Sequence, residues 1–166
     1  MTDFTPGTCT LYTSTDGAAS QAVALREHTE RFAAFSGDVL VCRLFDPQGS
    51  RMTLEGIERI ADGPTTTLIG AKTDESLYVL TDFLLAIVYA RQSQDHESLR
   101  PLLVVLPDAD ERYAKIVHLL LMAMPTTKIA LLITAHPDLA FTRDVQSNAR
   151  SVGRIAGGTI RHLNAA

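Results

Sequence analysis

The chain has 166 residues, of which 46% are hydrophobic and 20% charged, and its formal net charge is −4. This composition excludes disorder as the main state, and the length favours one domain over residues 1–166 with a sizeable core. The acidic balance, with no basic run of four or more residues, speaks against a nucleic-acid partner. We therefore expect a single folded domain that does not bind nucleic acid.

The first residues, the apolar runs and the cysteines give evidence on the cellular location of the protein. The start, MTDFTPGTCT, has neither a basic region nor an apolar region of the kind found in a secretory signal. The longest apolar runs, 83–90 and 119–125, fall short of the ~20 residues that a membrane span needs. Cys9 and Cys42 form no CxxC motif and are expected to be reduced, buried thiols. These features predict a cytoplasmic protein without a membrane contact.

Apolar runs alternate with amphipathic stretches in the order that strand–helix units require. Strands are predicted at 9–15, 38–45, 65–71, 101–106, 128–135 and 159–163. Helices are predicted at 17–35, 54–61, 73–90, 108–124 and 137–152. The second, fourth and fifth strands are apolar throughout instead of alternating, which is typical of strands covered on both faces. The pattern predicts a three-layer, doubly wound α/β fold of the flavodoxin-like kind, with a mostly parallel sheet of five to six strands.

The helix at 73–90 is more apolar than a surface helix should be, because it carries two stripes instead of one. The first stripe consists of Leu77, Leu80, Leu84, Ile87 and Val88, and the second of Tyr78, Asp82, Leu85 and Tyr89. The segment 116–124 is also apolar nearly all round. Two such helices cannot both be fully interior in a domain of 166 residues. We therefore predict a homo-oligomer, or another protein partner, bound through the apolar helices 77–90 and 113–124.

Polar residues follow the predicted strands, at the edge where doubly wound folds bind ligands. Ser14, Asp16, Asp46 and Lys72 are the candidate ligand-binding residues at this edge. Acids and hydroxyls at such positions could bind a cation or ribose hydroxyls, and they are also the ordinary helix caps of strand–helix loops. Both interpretations stay open.

Several motifs for nucleotide or metal binding are incomplete. The stretch GAKT (70–73) is similar to the end of a phosphate-binding loop, but the motif GxxxxGK[ST] is absent, so no such loop is predicted. LLVVLPDADE (102–111) resembles an apolar strand that ends in a metal-binding acid. Because no phosphate-binding loop is predicted, no nucleotide-bound metal is predicted there either. The five histidines show no HExxH or HxH spacing, and no metal site is predicted.

Three segments together resemble a TIR domain over about two-thirds of the chain. YTSTD (12–16) is similar to the strand-end serine and acid of that family, and LFDPQG (44–49) to its second strand and following loop. SLYVLTDF (76–83) lies over the family's S-x-W-C-x-x-E-L with identical spacing. The resemblance implies that Asp82 stands at the position of the catalytic glutamate, with Ser76 and Tyr78 beside the ligand. It also implies NAD as a substrate and no bound cofactor.

A second resemblance concerns the last third of the chain. MPTTKIALLITAHPD (124–138) is similar to the fourth strand of a response-regulator receiver. The paired acids after strand one and the lysine after strand five of a receiver are absent, which would make the chain a pseudo-receiver.

Three functions follow from these patterns. The first is a non-catalytic or weakly catalytic signalling or protein-interaction module, which the surplus of apolar helix surface favours. The second is an NAD-cleaving hydrolase that uses Asp82, and the third is a small-molecule binder at the carboxyl edge of the sheet. Asp82 has no cation three or four residues away, so its carboxylate is expected either to reach solvent near the strand ends or to be satisfied by hydroxyls and backbone donors.

Overall fold

The computed structural model describes residues 7–13, 30, 32, 37–45, 57–147 and 160–164. Its strands are β1 (Cys9–Thr13), β2 (Asp38–Phe45), β3 (Ile57–Asp62), β4 (Thr65–Ala71), β5 (Leu102–Ala109), β6 (Ile129–Ala135) and β7 (Ile160–Asn164). Its long helices are α1 (Asp74–Gln92) and α2 (Ala114–Thr127), and residues 140–147 are also helical. The predicted strands and the two central helices are confirmed, with ends that shift by a few residues.

The strands form one sheet in the order β3-β4-β2-β5-β6-β1-β7. Six strands run parallel, and only the pair of β3 and β4 is antiparallel among the described strands. This arrangement, with helices packed around the sheet, confirms the predicted α/β class and is consistent with a flavodoxin-like fold. Because β2 lies between β4 and β5, the residues that follow β4 and β5 meet at the carboxyl end of β2.

The core lies on both faces of the sheet, as the continuous apolar strands predict. β6 is buried at every position, and β5 at every position except Asp108. The larger cluster joins one face of the sheet to α1 and α2. A smaller cluster on the other face contains Phe32, which is helical, against Tyr12 and Val39. Burying each large apolar side chain stabilises the fold by about 1.5–3 kcal/mol.

The edge strand β3 replaces a predicted helix. The helix expected at 54–61 is wrong for its described part, because Ile57–Asp62 pair antiparallel with β4. Gly63 has φ +56 and permits the tight return from Asp62 to Thr65. Ile57 also packs on the larger core cluster. Pairing with β4 therefore outweighs the local helical pattern.

The two apolar stripes of α1 have different environments. Leu77, Leu80, Leu84 and Val88 are buried, as the first stripe predicts. The second stripe faces away from the sheet, and its two tyrosines are exposed. Thr73 caps the helix, because its side chain accepts a hydrogen bond of 3.1 Å from the Ser76 amide. The apolar surplus predicted from the sequence therefore lies on a regular, capped helix.

In contrast, α2 buries most of its large apolar side chains. It buries seven residues and leaves only Met122 as an exposed large hydrophobic. The predicted helix ends at residue 124, before Pro125, but Pro125 lies within the last turn and the helix ends at Thr127. The Thr127 hydroxyl donates a 2.7 Å hydrogen bond to the Ala123 carbonyl, and Lys128 then adopts φ +51. The exposed large apolar and aromatic side chains of the two helices therefore lie mainly on α1.

Candidate functional site

A polar cluster occupies the carboxyl edge of the sheet where β4 and β5 flank the end of β2. We call it the Lys72 cluster; it consists of Lys72, Asp108, Asp110, Arg112 and Tyr113. The buried Lys72 ammonium donates a 2.9 Å hydrogen bond to the Asp108 carbonyl and lies 3.5 Å from an Asp110 carboxylate oxygen. The cation thus joins the loop after β4 to the loop after β5.

Asp110 is the acidic centre of the Lys72 cluster. Its carboxylate accepts a 3.0 Å hydrogen bond from the Arg112 amide and pairs with the Arg112 guanidinium at 3.2 Å. Burial acts to raise the pKa of Asp110, but the hydrogen bonds from Arg112 and the charge of Lys72 outweigh it, so this pKa lies below its usual value. Asp110 is therefore an ionised helix cap, which fits the capping interpretation of the acids at this edge.

Tyr113 forms the apolar base of the cluster. Its ring is fully buried, and the Lys72 ammonium lies 5.4 Å from the ring centroid. Burial, together with nearby Cys42 and Asp110, raises the pKa of the phenol. Within the described part of the chain, the Tyr113 hydroxyl has no hydrogen-bond partner. The phenol is consequently neutral and unsatisfied.

The backbone at the end of β5 is irregular. Asp108 adopts φ +50, which is uncommon for a residue other than glycine, and the ladder with β6 shifts register there. Its amide donates a 2.7 Å hydrogen bond to the buried Thr134 hydroxyl. This turn exposes the Asp108 side chain at the edge while its carbonyl points to Lys72.

A cavity of about 530 Å³ lies between the first turns of α1 and α2, next to this cluster. Its lining mixes both signs of charge with apolar side chains: Asp74, Leu77, Tyr78, Thr81, Glu111, Arg112, Ala114 and Lys115. Among the described cavities, this one contains a predicted ligand-binding residue, Tyr78. Its size suits a small organic molecule.

The structure places four of the seven predicted site residues. Lys72 is buried in its cluster, and Ser76 is buried in the cap of α1, where its hydroxyl accepts from Thr73. Tyr78 lines the cavity, whereas Asp82 is exposed about 12 Å further along α1 than Asp74. The predicted Ser14, Asp16 and Asp46 lie outside the described residues.

Two members of the cluster were not predicted from the sequence. Arg112 and Tyr113 follow the acids of the fourth predicted strand in DADERY. A cation and an aromatic residue at the start of a helix are common, so the local sequence gives little reason to select them. Their role depends on Lys72, 40 positions earlier, whose carbonyl accepts a 3.0 Å hydrogen bond from Arg112.

A second feature is the solvent-facing side of α1, which we call the outer face. It consists of two adjacent rows: Tyr78, Asp82, Leu85 and Tyr89 in the first, and Val79, Phe83 and Ala86 in the second. Tyr78 and Tyr89 are 69% and 62% exposed, and Val79 is 48% exposed. Monomeric proteins seldom expose contiguous apolar side chains in this way on a regular helix.

Other kinds of site find little support in the described residues. No group of three or more His, Cys, Asp or Glu side chains there is arranged to hold a metal ion. None of the helices described is both long enough and apolar enough to cross a bilayer.

A scan against models of known protein families and a search of curated proteins found no match to this chain.

Proposed function

We propose that this chain is a non-catalytic protein-interaction module that binds another polypeptide through the outer face of α1. The observation that carries this proposal is the exposure of Tyr78, Val79 and Tyr89 on one capped, 19-residue helix. Exposed aromatic residues on a rigid element are typical centres of protein interfaces.

The packing of α1 supports this assignment. The opposite side of the helix is anchored in the core by Leu80 and Leu84, which are fully buried. At the far end, the Arg91 side chain donates a 2.7 Å hydrogen bond to the Thr127 carbonyl and so ties α1 to the end of α2. The outer face is therefore presented on a helix held at both ends, and little ordering is needed when a partner binds.

Site-specific cross-linking tests the proposal. A photoreactive amino acid replaces Val79 on the outer face or, as the control, Gln94, an exposed residue beyond the end of α1. In extracts of the producing cells, we expect a discrete adduct from position 79 and none from position 94. An adduct near 36 kDa, twice the 18.0 kDa of one chain, would indicate a second copy, and any other mass a different protein. Equal labelling from both positions would contradict the proposal.

A small-molecule binder is a second candidate, because the cavity between α1 and α2 favours it. The cavity combines Tyr78 with two acids, Asp74 and Glu111, and two bases, Arg112 and Lys115, so it suits a small organic molecule that carries both signs of charge. Screening such compounds by thermal shift, against wild type and Tyr78→Ala, tests this candidate. A ligand that stabilises the wild type but not the variant would support it.

Cleavage of NAD by Asp82 remains a prediction of the TIR resemblance. The cavity at Tyr78 does not include Asp82 in its lining. Incubating the protein with NAD and measuring released nicotinamide decides the question. Release that is lost in Asp82→Asn would replace the interaction module with the hydrolase as the primary function.

A further inference from the structure

We infer that the outer face of α1 pairs with a helix of a different protein that carries a lysine or arginine opposite Asp82. The same carboxylate disfavours pairing with a second copy of this chain. This inference rests on the proposed function, and it names the chemistry of the partner.

Asp82 lies at the centre of the outer face. In the first row it follows Tyr78 by one turn and precedes Tyr89 by two, with Leu85 between. Its carboxylate forms no hydrogen bond or ion pair with any residue that the structure describes. Asp82 is the only charged member of the two rows that form the outer face, and the exposed acid Glu75 precedes these rows by one turn. An apolar partner would therefore cover an unpaired carboxylate, which is unfavourable.

A second copy would make this electrostatic problem worse. In a parallel α1 pair, the two Asp82 side chains would oppose each other directly. In an antiparallel pair, the register that places Tyr78 opposite the other copy's Tyr89 separates the two Asp82 positions by only about 4.5 Å along the axis. Like charges so placed in an interface weaken association. Self-pairing could avoid this repulsion only by shifting the register and uncovering a tyrosine.

A partner with a cation opposite Asp82 avoids both the burial of an unpaired carboxylate and the repulsion between two Asp82 side chains. A lysine or arginine opposite Asp82 would form an ion pair, while apolar residues one turn to either side would cover Tyr78 and Leu85. Such a cation among apolar positions also fixes the register of a helix pair. The fitting partner is thus an amphipathic helix with a basic residue inside its apolar stripe.

A charge-swapped copy of the chain supplies a probe of this chemistry. The Asp82→Lys variant presents the same apolar rows with a cation at their centre. It should fold, because position 82 is exposed and lysine favours helix more than aspartate. Sedimentation measures association of wild type alone, of the variant alone and of their equimolar mixture. Glu97→Lys, which changes an exposed acid outside α1, is the matched control.

We expect the mixture of wild type and Asp82→Lys to associate at least tenfold more tightly than either protein alone, and Tyr89→Glu to abolish this association. Mixtures with Glu97→Lys should behave as wild type alone. The inference is overturned if wild type alone dimerises as tightly as the mixture, or if the mixture associates no better than the control. If the wild-type dimer is dispersed by Tyr89→Glu, the outer face remains an interaction surface and only the charge assignment fails. The proposed function itself fails when position 79 gives no specific adduct.

Discussion

The ammonium of Lys72 lies 3.5 Å from the carboxylate of Asp110, across the end of the strand that separates β4 from β5. One side chain thereby links two loops that are 38 positions apart in the sequence. The link holds the first turn of α2 against the start of α1 and shapes the wall of the cavity between them.

Replacing Lys72 with methionine tests the importance of this link. The variant keeps most of the apolar stem but leaves the Asp108 carbonyl without its donor, so we expect a loss of about 1–3 kcal/mol in the free energy of unfolding. Urea unfolding measures the loss. Lys115→Met, at an exposed lysine, is the control and should change stability by less than about 0.5 kcal/mol. Equal effects of the two substitutions would contradict the structural role of Lys72.

We expect acid to remove the contribution that the ionised Asp110 carboxylate makes to the stability of the fold. Its pKa in the folded protein is lowered from the usual 3.8, so its ionised form stabilises the fold above that value. This contribution is lost as the pH falls through the lower pKa of the folded state. We expect Asp110→Asn to be less stable than wild type at pH 6, and the difference to shrink below pH 4 in urea titrations. A stability difference that grows as the pH falls would contradict a stabilising role of the ionised Asp110 carboxylate.

The Tyr113 hydroxyl has no hydrogen-bond partner among the described residues, so its removal should not lower the stability of the fold. Tyr113→Phe removes a buried polar atom that has no partner among the described residues and keeps the ring under Lys72. We expect stability to be unchanged or to rise by up to about 1 kcal/mol, because no hydrogen bond is lost. Tyr113→Leu removes the ring and should be destabilising. A clear loss of stability in Tyr113→Phe would reveal a partner for the hydroxyl.

The two cysteines should remain separate thiols. Both are buried, and burial raises their pKa values to about 12. Cys9 lies in β1 and Cys42 in β2, with β5 and β6 between them, which puts them roughly 14 Å apart. A disulfide requires Cα atoms within about 7 Å. We expect no reaction with a thiol reagent in the folded protein and two thiols after unfolding without reductant; one or none would contradict this packing.

Much of the fold was predictable from the sequence because its strands are continuous apolar runs. DVLVCRLF and TTTLIGA give β2 and β4 at their observed bounds. The error at β3 has a local cause, since Ile57, Ile60 and Ala61 have the three- and four-residue spacing of a helix. Residues 57–62 form a strand because the turn at Gly63 brings them beside β4, with which they pair.

The candidate site was less predictable, for two physical reasons. The Lys72 cluster depends on the strand order β4-β2-β5, and no spacing in the sequence encodes which strands become neighbours. The outer face of α1 was visible as a second stripe, but its exposure depends on how α1 and α2 share the core. The sequence pattern is apolar on both helices, whereas in the fold α2 buries seven of its 14 residues and α1 five of its 19.

The decisive test of binding through the outer face of α1 is the yield of the cross-linked adduct at position 79, compared between wild type and Tyr89→Glu. Tyr89 is 62% exposed, so its replacement by glutamate should leave the free energy of unfolding within about 0.5 kcal/mol of wild type. We expect a loss of at least tenfold in adduct yield with stability unchanged, because the charge disrupts the partner's contact and not the fold. An undiminished adduct in the folded Tyr89→Glu variant would show that the outer face of α1 is not the interaction surface.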